Sequence, residues 1–317
     1  MAIRLLINND PTPFVNATWS GSHNQSSRSL TFTVPNNPYD ENFENQDIRL
    51  GSVVTLYDDD TLLFTGTTTS REKTAEVGTA SYTAQDYMHH LLRSNASYKF
   101  KNTTPEKITK RVCSDVGIKT QDLASTDTNI KKLYFEDQCL YDIIIKAYRK
   151  ARKNTKKNYM PAMIGSKVTV IEKGTPSGVV LDQTSNVTGA TYTDTTDNIV
   201  NTINVYNDKS TKVSCYEDRN TIASYGVYMA TYTMEDGVDY TSEAKSMVVG
   251  VTKEASIEAV GDLKAISGYS IEIHDESVGL TGTFYITEDS HVFENGVHTM
   301  SLSLAWDDSM EEGASTA

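Results

Sequence analysis

At 317 residues the chain has room for two or three domains and a substantial buried core. Its 38% hydrophobic and 22% charged content excludes a disordered polymer, and no run of about 18 apolar residues is present to cross a membrane as a helix. A formal net charge of −13 opposes general adsorption to nucleic acid or to anionic membranes, although a basic cluster stands near Lys146–Lys157.

Tyrosine (18) outnumbers phenylalanine (8), and Thr, Ser and Asn are plentiful, a composition that leans towards strands joined by turns. Cys113, Cys139 and Cys215 are too widely spaced for a disulfide framework or a zinc site and read as small thiols in a reducing compartment. MAIRLLINNDPTPF lacks the apolar core and cleavage site of a signal peptide, so the Asn-x-Ser/Thr matches at Asn16, Asn24, Asn95, Asn102 and Asn186 are expected to stay unmodified.

The first ~98 residues read as strands. SLTFTV places Leu30, Phe32 and Val34 on one face and Ser29, Thr31 and Thr33 on the other. PNNPYDENFENQD is a long loop, and GSVVTLYDDDTLLFTGTTTS reads as strand, acidic turn and strand. Asp58–Asp60 lacks the spacing of a calcium loop and is expected only to turn the chain. His89 and His90 sit in a helical turn that closes this region.

The middle changes character. TTPEKITKRVCSDVGI predicts a helix with Thr104 as N-cap, Pro105 in its first turn and Gly117 as its stop, its apolar face carrying Ile108, Val112 and Val116. FEDQCLYDIIIKAYRKARK predicts a second, with Glu136 and Asp137 at its start and Leu140, Ile143, Ile144, Ala147, Tyr148 and Ala151 as its stripe. The cations at its end suit either phosphate contact or a solvated helix end matched to the dipole, and no aromatic residues interleave as a nucleic-acid surface would want. SKVTVIEKG adds a strand.

From about residue 175 the pattern returns to strands. NIVNTINVY alternates through Ile199, Asn201, Ile203 and Val205, and TIASYGVYMATYT and GYSIEIHDESVGLTGTFYI read as further strands. One helix is expected at about 241–253, with Ala244, Met247, Val248 and Val251 as its stripe.

An internal repeat links the two ends. GSVVTLYDDDTLLFTGTT and GYSIEIHDESVGLTGTFY share a leading glycine (Gly51, Gly268), an acidic turn and a Thr-Gly-Thr (Gly66, Gly282). Each is followed by a strand ending in aspartate, Asp86 and Asp307. The predicted fold is a β-rich α+β chain: a first β-barrel-like module over 1–98, a small α+β domain over 99–178, and a second β-barrel-like module over 179–317 carrying the helix at 241–253. Three such chains would place six modules around one axis.

FYITEDSHVFENGVHTMSLSLAW sets Asn295-Gly296 between alternating strands, the strongest short hairpin signal. A two-residue turn pairs Phe293 with His298 and His291 with Met300, so Asp289, His291, Phe293, His298 and Met300 share one face, with the histidines as diagonal neighbours roughly 7–8 Å apart. Two readings follow. A metal could take His291, His298 and Asp289 as ligands; or an Asp289–His291 contact satisfies two semi-buried polar groups and fixes the hairpin. No nucleophile elbow, zinc-protease helix or phosphate loop is present, so no catalytic residues and no cofactor are assigned.

The C-terminal stretch resembles the central baseplate hub proteins of contractile phage tails, relatives of the T-even hub and of the late control D proteins, and most of all the hubs of PBSX-like prophages and tail-derived bacteriocins. The resemblance lies in Gly282, Phe284, Tyr285, Ile286, Asp289, His291, Gly296, His298, Met300, Leu302 and Leu304. Tyr285 is one place off the family's aromatic. Ser224-Tyr225-Gly226, read as part of a strand, and DNIVNTINVY, matching the strand that opens the second module, extend the resemblance, while the N-terminal half fits in layout alone.

The resemblance implies a structural homotrimer, a ring adapting the hexameric tail tube protein to the trimeric central spike protein and touching other baseplate proteins. It implies no membrane partner, and DNA only as cargo passing through an acidic lumen. Such a protein assembles in the bacterial cytoplasm and ends in an extracellular virion or tail-like particle. Other readings are the hub-like part of a type VI secretion spike, a carbohydrate-binding or adhesin β protein, and a cell-wall hydrolase. The first usually continues into a β-helical spike, whereas this chain ends at EEGASTA; the second wants exposed aromatics, whereas Trp19 and Trp306 fall in core-like alternation.

Overall fold

The computed structural model describes residues 2–37, 39–72, 78–235 and 238–307; the terminal EEGASTA lies outside them. The chain opens with β1 (Ile3–Ile7), β2 (Asp10–Pro11), β3 (Asn16–Ser22), β4 (Gln25–Asn36), β5 (Val53–Asp58), β6 (Thr61–Glu72), β7 (Gly78–Asp86) and α1 (Met88–Leu92). The alternation on β4 buries Leu30, Phe32 and Val34 beside Ala17 and Trp19 of β3 and Tyr82 and Ala84 of β7. Asp58–Asp60 turns β5 into β6, with Asp59 at φ +48°.

The middle contains β8 (Asn95–Thr103), α2 (Pro105–Asp115), β9 (Thr120–Leu123), β10 (Ile130–Cys139), α3 (Leu140–Thr155), β11 (Tyr159–Ile164) and β12 (Lys167–Glu172). Thr104, Pro105 and Gly117 bound α2 as its sequence predicts. The start of α3 differs from the expectation. Glu136 and Asp137 lie on β10 at a register shift against β8, Asp137 at φ +43°, and the helix begins only at Leu140. Phe135 and Gln138 pair with β8 on either side of them, and Ser97 Oγ accepts the Asp137 N–H at 3.0 Å, which holds both residues in the strand before the helix can take them. Ile108 and Val112 of α2 and Ile143, Ile144, Ala147 and Tyr148 of α3 share a core with Met163, Val168 and Val170.

Next come β13 (Thr175–Asp182), β14 (Val187–Thr195), β15 (Thr202–Tyr206), β16 (Lys212–Glu217), α4 (Arg219–Tyr225), β17 (Met229–Thr233), α5 (Tyr240–Ser246), β18 (Thr252–Val260), β19 (Tyr269–Asp275), β20 (Leu280–Glu294) and β21 (Val297–Ala305). Residues 191–255 form a compact unit of their own, with the sheet order β16-β15-β17. Three corrections belong to it. NIVNTINVY supplies β15 of this unit and does not open the second module's sheet. Ser224 and Tyr225 end a short helix, because the Asp218 carboxylate accepts hydrogen bonds from the backbone N–H groups of Asn220 and Thr221 and starts a turn where a strand was expected. The helix expected at about 241–253 stops at Ser246, before β-branched Val248, Val249 and Val251 and Gly250; Ala244, Met247 and Val248 still pack on Ile203 and Val205.

One large sheet holds the two ends of the chain. Its order is β14-β18-β21-β20-β3-β4-β7-β6-β5-β1-β2, with β19 beside β20 and β13 beside β19. Among the described residues it does not close into a barrel. The series β3-β4-β7-β6-β5 and β14-β18-β21-β20-β19 are the same arrangement of successive strands used twice. Gly66 faces Val54 as Gly282 faces Ile273, and each long strand slips register shortly after its glycine. Where β3 turns tightly into β4, the unit of 191–255 is inserted between β14 and β18.

Candidate functional site

β20 joins the two halves. Its first part pairs with β19 through Leu280–Tyr285, and its second pairs with β3 from Glu288↔Ser22 to Glu294↔Asn16. β21 covers its other edge, with Phe293 opposite His298 and His291 opposite Met300, as the hairpin signal required. Asn295 (φ +51°) and Gly296 (φ +77°) both take the left-handed backbone that a two-residue turn demands.

The inward face of this seam is polar. Asp289 is 2% exposed and His291 is fully buried. Arg28 reaches from β4 across β3 to Asp289: Nη1 donates to Oδ1 at 2.9 Å and Nη2 donates to Oδ2, while the Ser267 backbone N–H donates to Oδ1 at 2.6 Å. The guanidinium lies 4.1 Å over the Trp19 ring. Gly21, opposite Asp289 on β3, opens the passage, since a Cβ there would stand 2.3 Å from Nη1 of Arg28. The backbone beneath is tied as well. Asp86 accepts from Arg28 N, Met88 N and Ser27 Oγ, each at 2.9 Å. Burial raises the Asp86 carboxyl to about 6 against the opposing pull of these donors.

His291 Nε2 lies 3.1 Å from the Ala265 carbonyl, and its Nδ1 lies 3.0 Å from His298 Nε2. The carbonyl only accepts, so the neutral His291 carries its proton on Nε2, leaving Nδ1 to accept from His298 Nε2–H. Burial lowers His291 to about 4; Asp289 opposes the shift, and Arg28 and His298 add to it. Burial lowers His298 too. Its ring fills the space left by Gly261, whose Cβ would sit 2.2 Å away.

This geometry separates the two readings of the hairpin. Asp289 lies 3.5 Å from His291 Nε2, on the side of the ring away from His298, and its oxygens are taken by Arg28 and Ser267. The three side chains therefore do not converge on one point, and among the described residues no three His, Cys, Asp or Glu groups do. At 3.5 Å the Asp289–His291 contact is also secondary to the Arg28 pair. The histidines meet ring to ring, much closer than diagonal spacing suggests. Arg28 was missed by the sequence reading. The signal was available, because it shares strand parity with buried Leu30, Phe32 and Val34. The repeat glycines serve different ends. Gly51 (φ +83°), Gly268 (φ +92°) and Gly282 (φ +125°) hold left-handed backbone, whereas a Cβ at Gly66 would meet the Gln85 carbonyl oxygen at 2.1 Å.

Closed to solvent, and with Asp289 and both ring nitrogens of His291 hydrogen-bonded, the seam is suited to locking the two strand series together, although Arg28 Nε and Trp19 Nε1 lie buried without a hydrogen-bond partner among the described residues. The YQBQ-like family model matches residues 17–305. The phage-like element PBSX protein XkdQ of Bacillus subtilis (strain 168) is 28% identical over 308 residues, covering 93% of both chains. Uncharacterized protein YqbQ of the same strain is 30% identical over 247 residues, 74% of this chain and 76% of YqbQ. Among solved structures, the 43 kDa tail protein of prophage MuSo2 from Shewanella oneidensis has the same fold, with a TM-score of 0.71 at 13% identity over 98% of this chain and 99% of its own.

Proposed function

The chain belongs to the YQBQ-like family, and from that premise we propose that it is the central hub of a contractile tail baseplate. In this reading three copies form a ring that adapts the hexameric tube protein to the trimeric spike protein and contacts other baseplate proteins. The ring is assembled in the bacterial cytoplasm and carried in the extracellular particle. The domains would be 1–98 and 179–317 as ring modules with 99–178 between them, and the seam of Asp289, His291 and His298 would be structural, without catalysis, metal or cofactor.

The observation that carries this reading is the repeated sheet with its β20–β3 junction. Overlaying the two modules leaves the counterparts of that junction open within one chain. The counterpart of β3 is β14, which ends the sheet. The counterpart of the second part of β20 is β6 beyond Thr68, where, among the described residues, β7 covers one edge only. A neighbouring copy would fill each, and the heterologous contact closes at three chains and six modules.

The test is a cysteine pair, Arg71→Cys on β6 and Thr191→Cys on β14, in a background with the exposed Cys215 replaced. A short bis-maleimide should give dimers and closed trimers and nothing larger. Absence of cross-links, or an unlimited ladder, contradicts the ring.

A further inference from the structure

The middle domain carries a groove that the ring does not use. Among the described residues β10 pairs with β8 on one side only, in a two-stranded sheet. Beside it the basic face of α3 forms the other wall of a cavity of about 420 Å³, lined by Tyr134, Glu136 and Gln138 of β10 and by Lys146, Lys150 and Lys153 of α3. Seven cations and no carboxylate occur between Lys146 and Lys157, in a chain whose net charge is −13. The side chains of Lys150 and Lys153 are exposed, Tyr134 is 45% exposed, and Lys132 stands 4.6 Å over the Tyr134 ring.

We propose that this groove binds an extended acidic segment of a partner protein, which adds as a strand along β10 with its carboxylates against the lysines of α3. Two features fit that occupant together. An unpaired strand edge offers backbone N–H and C=O groups in a fixed row, which an extended chain satisfies. Lys146 donates to Gln138 Oε1 at 2.5 Å across the groove, so the charge offered to an occupant is that of Lys150 and Lys153, about 4.5 Å apart along the helix. Acidic side chains at alternate positions of a strand recur every ~6.8 Å, and two of them match that pair. Nucleic acid would meet the charge but not the strand edge, and no row of exposed aromatic rings is offered for its bases to stack on. The inference stands apart from the hub reading, since it concerns the chemistry of one groove in a single chain.

The experiment is fluorescence anisotropy on the full chain with a labelled ten-residue peptide of alternating Glu and Val. The comparison probes are a poly-Glu peptide of equal charge, a single-stranded oligonucleotide, and the Glu/Val peptide N-methylated at alternate residues. Saturable one-to-one binding of the Glu/Val peptide is expected, at least tenfold tighter than any comparison probe. Binding should fall at least tenfold in Lys150→Glu/Lys153→Glu, two exposed positions whose change is checked by an unaltered melting temperature. Failure of the Glu/Val peptide to bind overturns the proposal. So does equal binding of poly-Glu or the oligonucleotide, or binding indifferent to the charge reversal. None of these outcomes touches the cross-linking of β6 to β14, so the two ideas fail separately.

Discussion

Arg28 and Asp289 are 261 positions apart in the chain and meet as a two-pronged buried ion pair across β3. The side chains of both are almost wholly excluded from solvent, 9% and 0% exposed. The pair therefore ties β4 of the N-terminal strand series to β20 of the C-terminal one, with Gly21 of β3 leaving room between them.

Breaking such a pair from one side strands a buried charge. Asp289→Ala should cost about 3–5 kcal/mol in urea unfolding. The double replacement Arg28→Met/Asp289→Leu should cost clearly less than Asp289→Ala alone, because no charge is left uncompensated. Equal costs would mean that the ion pair is not what holds the seam.

His291→Asn should lower the melting temperature at pH 7, since the Ala265 and His298 hydrogen bonds are both lost, at about 1–3 kcal/mol. The pH dependence gives a sharper readout. His291 has a folded value of about 4 against an ordinary 6.5, so the unfolded chain takes up the proton first. Its contribution is complete above pH 6.5 and is lost as pH falls through 4, by up to about 3 kcal/mol. The gap between wild type and His291→Asn should therefore narrow on acidification through that window. Asp86 runs the opposite way: raised to about 6, it contributes fully below its unfolded value of 3.8 and loses that contribution as pH rises through 6. Stability measured at pH 4, 5, 6 and 7 in wild type, His291→Asn and Asp86→Asn separates the two slopes.

Much of this was legible in the chain itself. Asn295-Gly296 fixed the hairpin register because few residues tolerate two successive left-handed positions. The two Thr-Gly-Thr segments marked equivalent strands that the sheet order extends to five strands each. The Arg28–Asp289 pair was not legible, because parity puts Arg28 inside without naming its partner. The boundary of α3 was misplaced because Glu136 and Asp137 look like helix-start residues until the pairing of Phe135 and Gln138 with β8 leaves them in a bulge of the strand. The helix at Arg219–Tyr225 was hidden by β-friendly side chains and set by one capping aspartate, Asp218.

Gly66 and Gly282 are equivalent in the repeat and should respond differently to alanine. At Gly66 the new methyl would meet backbone, the Gln85 carbonyl oxygen at 2.1 Å, which cannot swing aside. We expect Gly66→Ala to cost about 1–3 kcal/mol through forced separation of β6 and β7. Gly282→Ala meets open space and pays only for its φ of +125°. Hydrogen exchange should show amides of β6 and β7 losing protection in the first variant and not in the second.

The central proposal is that this chain builds a ring from two copies of one strand series, and native mass spectrometry of the chain co-expressed with the proposed tube and spike proteins tests it most directly. The account predicts three copies of this chain in every complex that contains the spike, as a 3:3 assembly, with no bound metal ion. A monomer that ignores the spike, or a complex with any other number of copies, would contradict it.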